Sequence, residues 1–170
     1  MGFKMPHIAV IIGLVCIGVA LIFQIVGLAT TGWTSGRTAV QSGFGFVTVD
    51  VDRGLWSACS GSSCADYSGD LPDWLEACRA FSIIGLLVIV GSLVVGVLIC
   101  FMDNKMLPMI AAILAFVAAF CLLIEFAVFA GEYEDAFGDA DLGYSFALTI
   151  VAFLLCIAAG VCFLVPNFVG

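Results

Sequence analysis

Eight cysteines and one histidine, His7, are the residues of this 170-residue chain best suited to nucleophilic, redox or metal chemistry. The most telling spacing among them is that of Cys59 and Cys64, which flank the turn-forming run Gly61-Ser62-Ser63. In an oxidising compartment such a pair closes a disulfide. The closed loop is short, so its direct entropic effect is modest, and its use is to hold two strands of a hairpin together. A zinc site would require further Cys or His ligands at metal spacing, and none accompanies the pair. No metal or cofactor is expected.

Carboxylates are the second chemical resource. Glu132, Glu134, Asp135, Asp139 and Asp141 crowd one short stretch, and Asp66 follows Cys64 closely. Such acids attract cations or a basic partner surface, although a run of this kind is usually just solvated. The stretch lacks the alternating acids, glycine and distal Glu of a calcium-binding EF-hand loop. Glu125 is different, because it interrupts a long apolar run. An ionised acid there costs on the order of 2.5 to 3.5 kcal/mol even on insertion scales. It therefore requires a role: an ion or proton site, an ion pair with Arg79, a polar bond fixing helix register, or a neutral carboxyl group.

The elements that carry these groups follow from composition. The chain is 64% hydrophobic and only 11% charged, whereas soluble domains are nearer half apolar and a quarter charged. Four apolar runs are long enough to cross a bilayer: 8–30, interrupted by Gln24; 80–101; 108–130, with Pro108 at its start; and 143–165, closed by Pro166. The first is too long for the core of a signal peptide. Rows of small residues, such as Ala111, Ala115 and Ala119, Ser92 and Gly96, or Ala152, Cys156 and Gly160, suit close helix packing within one bundle.

Four spans leave both termini on one side. Lys4, before the first span, and Lys105, in the short connection 102–107, place that side in the cytoplasm by the positive-inside rule. The connections 31–79 and 131–142 are then extracellular, in the plasma membrane. They hold eleven of the thirteen acids, against Arg37, Arg53 and Arg79, so the net charge of −8 lies mainly outside. The outer segments contain no histidine, no Cys/His pair and no phosphate-binding glycine loop, so an enzyme is not expected. The five scattered Lys and Arg are no nucleic-acid footprint. Cys78 is the odd outer cysteine and is read as a buried free thiol. Cys100 and Cys162 fall near cytoplasmic helix ends, where palmitoylation is chemically reasonable.

The first loop is too long to be a simple connector. Across 44–52 the residues alternate, with Val47, Val49 and Val51 on one face and Phe46, Thr48 and Asp50 on the other, the period of a half-buried strand. A second short strand is predicted at 55–58. Trp33, Gly54-Leu55-Trp56, Cys59 and Cys64 together resemble the W…GLW…C…C signature of the claudin superfamily. Trp74-Leu75-Glu76-Ala77-Cys78-Arg79-Ala80-Phe81 is similar to that family's entry into the second helix, arginine included. Phe137-Gly138-Asp139 and Tyr144-Ser145-Phe146 resemble the lens fibre and epithelial membrane proteins of the same family. The four residues between Cys59 and Cys64 are fewer than in typical vertebrate claudins and match that branch.

The resemblance implies a membrane four-helix bundle capped by a small extracellular antiparallel sheet, with strands from the first loop and one from the second. It makes Trp33, Gly54, Leu55, Trp56 and Arg79 structural. It further implies a protein of cell–cell contacts, acting in adhesion, as a paracellular barrier or as a cation-selective pore in which Asp66 would be the leading selectivity residue. The alternative it offers is an auxiliary subunit of an ion channel or receptor. Partners are then lipids and other membrane proteins, with claudin-like neighbours or further copies of the chain in the first case. The ending Asn167-Phe168-Val169-Gly170 offers no hydrophobic terminal residue of the kind that PDZ scaffolds capture.

Overall fold

The computed structural model describes residues 7–43, 45–102, 104–138 and 140–169; Lys4, Phe44, Asp103 and Asp139 lie outside the described residues. Four helices dominate: α1 (Ile8–Ala29), α2 (Asp73–Ile99), α3 (Met106–Phe137) and α4 (Tyr144–Val169). All four are long and apolar enough to cross a membrane. Their outer faces carry large apolar side chains such as Ile8, Val15, Leu87 and Phe120, each more than 60% exposed. A helix apolar on its outward face as well as its inward one belongs in lipid.

Local chemistry sets the helix ends. The His7 side chain accepts from the Ala9 N–H at 3.2 Å and caps α1. Asp73 and Glu76 occupy the first turn of α2, where the helix dipole favours negative charge. α3 does not stop where the apolar run does. It continues through Glu132, Glu134 and Asp135 and ends at Gly138, whose φ of 63° suits glycine and stops the helix. α4 similarly continues past Pro166 to Val169. Proline there removes only the bond that its N–H would have made to the Cys162 carbonyl, a small loss in the last turns.

Within the bundle α1 packs on α4, α4 on α3 and α3 on α2, while α1 meets α2 more lightly. The small residues lie inside these seams. Ala111, Ala115 and Ala119 are buried, Ser92 donates to the Ala111 carbonyl at 2.9 Å, and Gly160 faces the Phe116 ring. Close backbone approach thus serves packing inside one bundle.

At one end of the bundle sits a five-stranded antiparallel sheet in the order β4-β3-β2-β1-β5. Its strands are β1 (Thr34–Ser42), β2 (Gly45–Arg53), β3 (Ser57–Ser60), β4 (Ser63–Asp66) and β5 (Asp141–Leu142). The register pairs Val40 with Val47, Thr38 with Val49 and Gly36 with Val51, which aligns the three valines of β2 on one face. The fold is therefore four apolar helices with a sheet built from both connections on that side.

Candidate functional site

The sheet is fastened to the bundle through Trp33, which is fully buried where α1 gives way to β1. Its indole N–H donates to the Gly27 carbonyl at 2.7 Å. Its ring packs 4.7 Å from Phe129 of α3 and 6.1 Å from Phe146 of α4, centroid to centroid. Trp74 meets Phe129 edge-on at 5.9 Å. Leu55, also fully buried, joins Leu75 and Cys78 in the same cluster. Gly54 lies where a Cβ would come within 2.6 Å of the Thr30 carbonyl oxygen and 2.8 Å of the Thr31 Cα. Only a residue without a side chain lets the two backbones approach so closely.

Arg79 holds the other side of this seat. Its Nε donates to the Leu55 carbonyl at 2.7 Å, and its guanidinium lies 4.7 Å over the Trp56 ring and 5.8 Å from that of Tyr67. The arginine is thus committed to the loop, and Glu125 is bonded by Gln24 on α1; the ion pair considered between Arg79 and Glu125 is not the arrangement found. The helix spacing explains it: Arg79 stands in the second turn of α2, level with the loop, while Glu125 lies deeper, beside Ser82 and Cys78.

Tyr67, which the sequence did not single out, completes the clamp by donating its hydroxyl to the Gly54 carbonyl at 3.1 Å. Burial pushes its phenol above the ordinary value, with Arg53 and Arg79 pulling the other way. The folded protein therefore holds this proton more tightly than the unfolded chain. The stabilisation is complete below about pH 10, the ordinary tyrosine value, and is lost as pH rises through the higher folded-state value. Tyr67→Phe is expected to lose about 1 kcal/mol at neutral pH. Thermal melts in detergent should fall less steeply above pH 10 in the variant than in the wild type; equal alkaline slopes would contradict this account.

Cys59 and Cys64 are disulfide-bonded, directly opposite each other on β3 and β4, and the bridge closes the outermost hairpin of the sheet. Cys78 is a buried free thiol whose Sγ lies 3.5 Å from the Glu125 carbonyl. At the far end of the β1–β2 hairpin both faces are open to solvent. Val40, Phe46 and Val47 are 50%, 78% and 53% exposed. Arg37 and Asp50 pair across this hairpin at 3.1 Å, a fully solvated contact of little energetic weight.

The acids do not form one site. Glu132, Glu134 and Asp135 ride the last turns of α3, and Glu134, Asp135 and Asp141 line an open depression with Tyr133, Gly138 and Ala140. Asp66 ends β4, at the edge of the sheet opposite β5 and Asp141. Four strand spacings separate those edges, roughly 19 Å. Among the described residues no three His, Cys, Asp or Glu side chains come together as a metal site.

Comparison with known proteins agrees with this architecture. The sequence profile of the PMP-22/EMP/MP20/Claudin family matches residues 6–163. The chain is 28% identical over 158 residues to lens fiber membrane intrinsic protein of Bos taurus, covering 88% of this chain and 86% of that protein. The Homo sapiens protein of the same name is 27% identical over the same coverage. Epithelial membrane protein 1 of Rattus norvegicus is 28% identical over 125 residues, 69% of this chain and 77% of that one.

Proposed function

Because the chain belongs to the PMP-22/EMP/MP20/Claudin family, we propose that it is a structural protein of cell–cell contacts in the plasma membrane, working by adhesion between sheets rather than by catalysis. In this reading the sheet is extracellular and both termini are cytoplasmic. The Cys59–Cys64 disulfide supports that orientation, since such bridges persist in oxidising surroundings. So does Lys105 in the short connection at the opposite end of the bundle.

The observation that carries the proposal is the β1–β2 hairpin, which leaves the apolar side chains Val40, Phe46 and Val47 half or more exposed to solvent. Val40 and Val47 lie opposite each other on one face and Phe46 on the other, so the hairpin offers apolar contacts to a partner from both sides. The acids Asp66, Glu132, Glu134, Asp135 and Asp141, with Asp139 of the same connection, would make the outer side of the protein negative and favour a basic partner surface or, across a contact, cations.

Labelled protein in non-adherent cells should gather at cell contacts. The substitution Phe46→Asp should spread it over the surface with little change in melting temperature, because that side chain is 78% exposed. Uniform distribution of the wild type, or its stoichiometric recovery with a channel or receptor, would replace adhesion by the auxiliary-subunit role.

A further inference from the structure

At the centre of the bundle Gln24 of α1, Ser82 of α2 and Glu125 of α3 are all fully buried. Packing runs around the bundle, from α1 to α4 to α3 to α2, so the contact from Gln24 to Glu125 crosses its diagonal. Gln24 Nε2 donates to Ser82 Oγ at 2.9 Å and to Glu125 Oε2 at 3.0 Å. Both amide protons are then in use. Among the described residues two buried oxygens of this group remain without a donor, Gln24 Oε1 and Glu125 Oε1.

Buried acceptors left unpaired are rare and call for a donor. The groups facing Glu125 offer no positive charge. Cys78 of α2 touches its backbone carbonyl, Cys121 lies one turn earlier on α3, and Arg79 is occupied at the Leu55 carbonyl. The chemistry of the pair supplies the answer. A carboxylic acid and a primary amide are complementary across two parallel hydrogen bonds, N–H to carboxyl oxygen on one side and O–H to amide oxygen on the other. The first half is in place, and the two unpaired oxygens are the two atoms the second half requires.

We propose that Glu125 carries a proton on Oε1 and donates it to Gln24 Oε1, so that the two residues close a neutral acid–amide ring that latches α1 to α3, with Ser82 joining α2. One proton satisfies both oxygens, whereas a bound cation would need several more oxygen ligands than this centre presents. The latch stands one turn from each of the groups that seat the sheet: Gly27, which accepts from Trp33, follows Gln24, and Phe129, which packs on Trp33, follows Glu125. It therefore fixes helix register where register decides whether the sheet is held. It is independent of what the sheet binds.

The test is infrared spectroscopy of the full-length protein in lipid nanodiscs at neutral pH. The difference spectrum between wild type and Glu125→Gln should contain the carbonyl stretch of a protonated carboxyl group, lowered on exchange into deuterium oxide. Gln24→Leu, which removes the acceptor, should move that band to higher frequency. Glu125→Gln forms the analogous amide–amide ring and should melt with the wild type, while Glu125→Leu melts lower. A difference spectrum holding only carboxylate stretches, or one that changes when sodium replaces potassium, would overturn the latch. So would a carboxyl band unmoved by Gln24→Leu.

Discussion

Trp33→Ala is expected to destabilise the protein by about 3–5 kcal/mol, the usual cost of truncating a buried aromatic. The side chain is fully buried among Phe129 and Phe146, and the surrounding helices cannot collapse into the space because their own spacing is set by the alanine and glycine seams below. Truncation also strips the Gly27 carbonyl of the indole donor. The backbone of Trp33 is a junction as well: its N–H donates to the Arg53 carbonyl at 3.0 Å, and its carbonyl accepts from Gly143 at 2.8 Å. Loosening this residue therefore disturbs β2, the start of α4 and the end of α1 together. Trp33→Phe keeps most of the ring packing and should recover part of the loss, leaving about 1–3 kcal/mol for the bond to Gly27. Denaturant titration in detergent measures the stability, and limited proteolysis of residues 34–66 reports whether the sheet has come away. A Trp33→Ala protein that melts with the wild type and resists protease equally would show that the sheet is held by something else.

How much of this was legible in the sequence depended on the kind of signal. Runs of apolar residues announce helices strongly, so the four spans could be read directly, and the alternation of Val47, Val49 and Val51 announced β2. The Trp33, Gly54-Leu55-Trp56 and paired-cysteine pattern pointed to the family and to a sheet on a bundle. β1 was missed because nearly all of its side chains are exposed and it buries no alternate face; its faint signal was Thr34, Thr38 and Val40 at a period of two. The helical extension through Glu132 to Phe137 was missed because hydropathy marks where lipid ends, not where helix ends. Glu125 was recognisable as a group in need of a partner. The choice of Gln24 over Arg79 was not, because it depends on which helices face each other across the bundle, and no local pattern encodes that. Tyr67 carried no signal at all: a lone tyrosine in a polar loop looks the same whether or not a carbonyl waits for its hydroxyl.

Arg79→Met should cost about 2–4 kcal/mol, and the loss should couple to Trp56 rather than to Glu125. The charged Nε–H bond to the Leu55 carbonyl belongs to the class worth about 1.5–3 kcal/mol. Stacking over Trp56, a residue 40% exposed, adds about 0.5–1 kcal/mol. Methionine retains the apolar stem and loses both. Arg79→Lys keeps the charge but cannot present a planar group flat on the indole while donating sideways to a carbonyl, so it should recover less than half. A double-mutant cycle of Arg79→Met with Trp56→Leu should give a coupling near 0.5–1 kcal/mol. The parallel cycle with Glu125→Gln should give a coupling close to zero, because the arginine and the acid share no partner. If that second cycle instead gave the larger coupling, Arg79 would have to reach into the bundle, the Leu55 contact would be incidental, and the neutral pairing of Glu125 with Gln24 would fail with it. The two cycles together decide whether the one arginine of α2 serves the sheet or the membrane core.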